Sequence, residues 1–194
     1  MREMLNRLRG VCPVMRPWHL CVAVITTLAS VGAACSGSPT SPSGNANLRL
    51  MLTDAPIAGL EKVNIYFTTV TAKPTGEPPK ELALELTENP VDLLTLSDKV
   101  IGFASGVVAP GDFEFIHINI DESRSHLVVN GLQRPLQVPS EEIKVLGGFK
   151  VQDDHTTTLT LDFDAEASIV TLGNGGFLLK PVVVITGNNM SSQP

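Results

Sequence analysis

The sequence predicts an all-β fold, preceded by a signal peptide and a flexible tether. From Leu48 onward apolar and polar residues alternate with a period of two, turn-forming residues interrupt the alternation at short intervals, and no stretch holds a helical 3.6-residue period for three turns. Val63, Ile65 and Phe67 alternate with Asn64, Tyr66 and Thr68. Ile116, Ile118 and Ile120 alternate with His117, Asn119 and Asp121, and Leu159, Leu161 and Phe163 with Thr158, Thr160 and Asp162. Successive side chains of a strand point to opposite faces, so each run buries one set and wets the other. Short strands at this spacing favour an antiparallel β-sandwich, immunoglobulin-like or prealbumin-like.

Residues 1–34 read as a lipoprotein signal peptide. Arg2, Arg7, Arg9 and Arg16 precede the apolar run Trp18 to Leu28, and small residues lead into Gly32-Ala33-Ala34-Cys35. A basic start, a short apolar centre and a small-residue cleavage site are the parts of a secretory signal. The run is too short for a stable span, which needs roughly 20 apolar residues. Cleavage before Cys35 would leave a thiol for acylation, and several acyl chains anchor a protein where one is marginal. Gly32 stands where a larger aliphatic is more usual. All three cysteines (Cys12, Cys21, Cys35) lie at or before that point, so none remains for disulfides. Ser36, in place of an aspartate, points to the outer membrane if the cell is diderm. Met15-Arg16-Pro17-Trp18 could begin a compact signal by itself, so Met1, Met4 and Met15 are alternative starts.

Residues 35–46 carry the lipidated cysteine and a Ser/Pro/Gly tether, too poor in apolar residues to order itself. The domain is expected over 47–187, with a disordered tail at 188–194. Strands are expected at 47–53, 61–72, 81–86, 91–96, 113–121, 125–130, 132–138, 143–146, 149–152, 156–163 and 177–186. Asp54-Ala55-Pro56, Lys73-Pro74-Thr75-Gly76, Pro110-Gly111-Asp112, Gly147-Gly148, Asp153-Asp154 and Gly173–Gly176 punctuate them. Asn130-Gly131, between two alternating runs, signals a two-residue hairpin. Leu94–Phe103 is the place for a helical turn, and Ala165–Leu172 fits helix or strand.

The processed chain holds ten Lys and Arg against nineteen Asp and Glu, a net charge of −9. That argues against nucleic acid as a partner and against electrostatic attraction to anionic lipid. One Tyr and one Trp, the latter in the signal, leave little for stacking sugars.

Several motifs occur together: Leu52-Thr53-Asp54-Ala55-Pro56, the strand ending Val70-Thr71-Ala72, Val91-Asp92-Leu93-Leu94, Ala109-Pro110-Gly111-Asp112-Phe113, and the closing runs Thr158–Asp164, Ser168-Ile169-Val170 and Gly173–Pro181. In this order they resemble the bacterial exported lipoprotein family known as domain of unknown function 4382. The resemblance covers about Leu48 to Ile185. It implies an exported, often lipid-anchored β-sandwich without an established enzyme activity, and it carries over no catalytic residue. Phe113 departs from the pattern, where a Tyr looks commoner.

Among side chains with chemical capacity, Asp54, Asp162 and Asp164 form the candidate metal set. Asp162 and Asp164, two apart on a strand, share a face, and hard cations such as calcium take clustered carboxylates. No calcium-loop pattern accompanies them, and solvated or turn-forming aspartates are the plainer explanation. Calcium is the one cofactor raised. His117 and His126 would neighbour each other if 113–121 and 125–130 formed a hairpin, but two histidines without a third ligand are weak evidence for zinc, and His155 stands alone. No Gly-x-Ser-x-Gly elbow or phosphate-binding glycine loop is present. The expectation is a lipid-anchored envelope protein with a binding or structural role toward an envelope partner, without catalysis. A calcium-dependent ligand-binding module and an envelope hydrolase are the second and third readings.

Overall fold

The computed structural model describes residues 44–54 and 59–192. The signal peptide, Cys35 and nearly all of the tether lie outside the described residues. The domain is all-β. Its first half comprises β1 (Ala46–Asp54), β2 (Lys62–Ile65), β3 (Phe67–Pro74), β4 (Lys80–Leu84), β5 (Val91–Asp92), β6 (Ile101–Val108) and β7 (Gly111–Ile120). The second half adds β8 (His126–Val129), β9 (Leu132–Gln137), β10 (Glu142–Val151), β11 (His155–Phe163), the single helical turn α1 (Ala165–Ser168), β12 (Ile169–Thr171), β13 (Phe177–Leu179) and β14 (Val183–Ser192). Two 3₁₀ turns, Leu93–Leu96 and Glu122–Arg124, are each capped by an aspartate, Asp92 and Asp121.

One sheet has eight strands in the order β10-β7-β3-β4-β6-β1-β11-β14, the other six in the order β12-β13-β9-β8-β2-β5. Both feed a single apolar core, in which Leu48, Leu50, Leu52, Ile65, Phe67, Phe103, Ile116, Leu127, Leu161 and Phe163 are all but completely buried. The predicted alternation is realised in β1, where every second residue from Ala46 to Asp54 is buried. The two edge strands of the larger sheet, β10 and β14, approach one another without a ladder between them. This sheet therefore curls most of the way toward a barrel and stops short of closure.

Several expectations are corrected. The larger sheet is mixed, not antiparallel, because β1 and β11 run parallel from Asn47↔Thr156 to Asp54↔Phe163, and the smaller sheet is mixed because β13 pairs parallel with β9. Alternation reports burial and carries no information on strand direction. The run 61–72 is two strands parted at Tyr66, one in each sheet. The expected strand 91–96 is a two-residue strand followed by a 3₁₀ turn, so the helical turn starts where expected but Ile101–Phe103 is strand.

β6 escaped notice because Gly102 and Gly106 depress strand propensity. Gly106 has a packing reason: a Cβ there would stand 2.9 Å from the Leu82 side chain of β4. Gly147-Gly148 is a bulge within one long strand, β10, where the pairing with β7 shifts register between Leu146 and Phe149. The run 177–186 is two strands, β13 and β14.

Asn130-Gly131 does form the hairpin between β8 and β9, with φ of 52° and 70°, as a type I′ turn requires. Ala165–Leu172 resolves into α1 and β12. The expected tail is corrected over 188–192. These residues extend β14 along β11, where Ser191 pairs with Thr156, Asn189 with Thr158 and Asn188 with Leu159.

Candidate functional site

The parallel register of β1 and β11 brings Asp54, Asp162 and Asp164 to one end of the eight-stranded sheet, and then separates them by face. Asp54 lies level with Phe163 and is 4% exposed. Its Oδ1 accepts a hydrogen bond from the backbone N–H of Ala165 at 2.9 Å in a buried setting. Asp162 lies level with Thr53, on the alternate face, and pairs with Val184 of β14. Asp164 ends the strand and caps α1, its Oδ1 accepting from Ala167 N–H at 2.8 Å.

Behind α1 the fully buried Ser168 hydroxyl accepts from Val182 N–H at 2.8 Å, and its carbonyl from Lys180 N–H at 2.8 Å. The first amides of a helical turn have no partner within the turn. Here Asp54 and Asp164 supply the acceptors, and α1 becomes a pinned corner between β11 and β12. Among the described residues, no group of three or more His, Cys, Asp or Glu is placed to hold a metal ion.

His117 and His126 fall in different sheets, because β7 pairs with β3 and β10 while β8 pairs with β2 and β9. The conditional hairpin between them does not exist. His117 Nδ1 lies 2.6 Å from Glu142 Oε1 and its ring stacks on Phe115 at 4.5 Å, with the Lys144 ammonium 3.8 Å above the same Phe115 ring. His126 Nε2 meets the Asn64 side-chain amide at 2.9 Å, and His155 Nδ1 meets the Asp153 carbonyl at 2.7 Å. Each histidine is engaged locally.

Asp121 is a further aspartate set by its surroundings. Hydrogen bonds from the Ser123 hydroxyl and the Arg124 side chain hold its carboxyl below the usual carboxylate value. Arg124 in turn covers the Tyr66 ring at 3.6 Å. A depressed folded value means that the contribution of Asp121 to stability is present near neutral pH and is lost on acidification. Solvent screening keeps that contribution small.

The sequence reading missed the open side of the larger sheet. Between β10 and β14 runs a groove of about 380 Å³, lined by Ile143, Lys144, Leu146, Val182, Val183 and Val184 among others. Leu146 is 70% exposed, Val184 48% and Met190, farther along β14, 50%. The signal that could have found it is the uncharged run from Pro181 to Pro194, which opens with four consecutive apolar residues, Val182 to Ile185.

The family model described as domain of unknown function (DUF4382) matches residues 45–181. No curated protein matches the chain. Among solved structures, the chain is similar to the crystal structure of a proposed cell adhesion protein from Bacteroides ovatus, at 9% identity and a TM-score of 0.32. The match covers 78% of this chain and 46% of that one, so the chain spans under half the length of that protein. The family match runs from the first residues of β1 into the segment between β13 and β14, most of the described domain. The chain belongs to the family of domain of unknown function 4382.

Proposed function

We propose that this protein is a lipid-anchored component of the cell envelope, its domain a β-sandwich with a binding or structural role and no catalysis. Residues 1–34 would direct export, acyl chains on Cys35 would hold the protein to the membrane, and Ser36 would favour the outer membrane of a diderm cell. The single observation that carries the non-catalytic reading is the use made of the aspartates at the end of β1 and β11. Asp54 and Asp164 each accept from a backbone N–H of α1, and Asp162 stands on another face. A calcium module would need these oxygens turned toward one point. A hydrolase would need an acid and a base facing a common cleft. The arrangement instead serves the corner at α1, leaving loops and sheet edges on a rigid scaffold to meet an envelope partner.

The anchor is tested by metabolic labelling with a clickable fatty acid, followed by membrane fractionation. The parent chain is expected in the membrane fraction with label, and Cys35→Ser without label and released from the membrane. Label retained in Cys35→Ser, or unchanged attachment, would sink the anchor.

A further inference from the structure

The tether leaves the domain at one particular corner. Gly44, the first described residue, lies against the Asp153 carboxylate in the turn between β10 and β11. β14 ends at the same corner, because Ser192 pairs with His155. From there β10 and β14 run along the open side of the larger sheet, without a ladder between them.

This side is apolar. Eight large hydrophobic side chains are exposed among the described residues, and four of them, Leu146, Val182, Val184 and Met190, stand on β10, on β14 or at the entry to β14, so half of the exposed apolar groups gather at one edge. No residue of β14 is charged. Leu146 stands opposite Phe115 in the ladder of β10 with β7, and the Lys144 ammonium lies 3.8 Å over the same ring. Glu142, which meets His117, and Asp162, one strand in, border the patch.

We propose that this edge lies on the lipid surface that holds Cys35, with Leu146, Val182, Val184 and Met190 set among the headgroups. The proposal rests on the acyl anchor. The length of the tether, and the corner where it ends, select lipid as the occupant. At the rise of a strand Leu146 is no more than about 23 Å from Asp153. Ser36–Ser43 spans about 26–29 Å when fully extended. The whole patch is therefore within a tether's length of the corner, and the anchor keeps it beside lipid at high effective concentration. A soluble partner has no such advantage.

Charge selects which side turns down. The processed chain is at −9, and a face carrying those carboxylates would lose hydration against a bilayer. The β14 edge has none to lose. In the headgroup layer its unpaired backbone groups stay hydrated while its aliphatic side chains leave water. Lys144 runs its stem along Phe115 and turns its ammonium toward the phosphates. Since neutral side chains make the contact, zwitterionic lipid suffices.

No cysteine follows Cys35, so a cysteine introduced in the domain is the one free thiol once Cys35 is acylated. The processed, acylated full chain is reconstituted into phosphatidylcholine vesicles containing lipid spin-labelled near the headgroup. A fluorophore is attached in turn at Leu146→Cys, Val184→Cys and Met190→Cys. Val107→Cys on β6 and Leu132→Cys on β9 are controls, since both positions are exposed and apolar but lie off this edge. Vesicle flotation reports separately on the anchor.

The expected result is quenching roughly threefold or more stronger at the three edge positions than at the controls. Adding Leu146→Glu to Val184→Cys is expected to lower the quenching by about half, with flotation unchanged. A floating chain quenched no more at the edge than at the controls would overturn the contact, leave the anchor standing and return the edge to a protein partner. A chain that fails to float would overturn the anchor and the contact with it.

Discussion

Phe103→Ala is expected to cost the domain about 3–5 kcal/mol, the range for truncating a buried aromatic. Phe103 is completely buried on β6, in the middle of the eight-stranded sheet. Its ring meets Phe67 edge-on, with centroids 5.0 Å apart and planes at 75°, a geometry worth about 0.5–1.5 kcal/mol beyond burial. Phe67 is held on its own side by Asn89, whose side chain accepts from Phe67 N–H at 3.0 Å and donates to the Phe67 carbonyl at 2.7 Å. Because the backbone around Phe67 is fixed in this way, it cannot easily collapse into the space left by the missing ring. A chain of this size loses roughly 2–4 °C per kcal/mol, so thermal unfolding should fall by roughly 6–20 °C. A fall of under about 3 °C would mean that this core relaxes around the cavity.

Asp54→Ala is the second large effect. It removes the acceptor for Ala165 N–H, a buried hydrogen bond that joins β1 to the start of α1 across 111 residues of sequence. A buried donor left unsatisfied costs about 1–3 kcal/mol. Unfolding is therefore expected roughly 2–12 °C lower. Asp54→Asn keeps an oxygen at the same place and should lose less. Asp164→Ala removes an exposed cap, with an expected cost of about 0.5–2 kcal/mol. If Asp54→Ala unfolded at the parental temperature, Asp54 would be free of a structural role, and a ligand role would return.

The parts of the fold legible in the sequence are those that depend on neighbours along the chain. Alternation exposed the cores of β1, β7 and β11, and Asn130-Gly131 marked its hairpin because both residues must take positive φ. Pairing between distant segments left no such trace. The parallel match of Asn47–Asp54 with Thr156–Phe163 is invisible in either strand alone, yet it decides that Asp54 faces the core while Asp162 faces away. The candidate metal residues were thus placed at one end of the sheet but not on one face. Asn188-Asn189 reads as the start of a tail because asparagine does not favour a strand. They form one because β11 offers its ladder.

The measurement that tests the account most directly is thermal unfolding of the processed chain in excess calcium and again in chelator. The described core runs from Ala46 to Leu179, all within the processed chain, so the transition reports on the domain. If the aspartates serve the corner at α1, the two curves superimpose, and Asp54→Ala is lowered equally in both. A ligand present at about 100 times its dissociation constant adds roughly 2.7 kcal/mol. A rise of several degrees with calcium, abolished by Asp162→Asn, would contradict the structural role and make this end of the sheet a metal-dependent binding site.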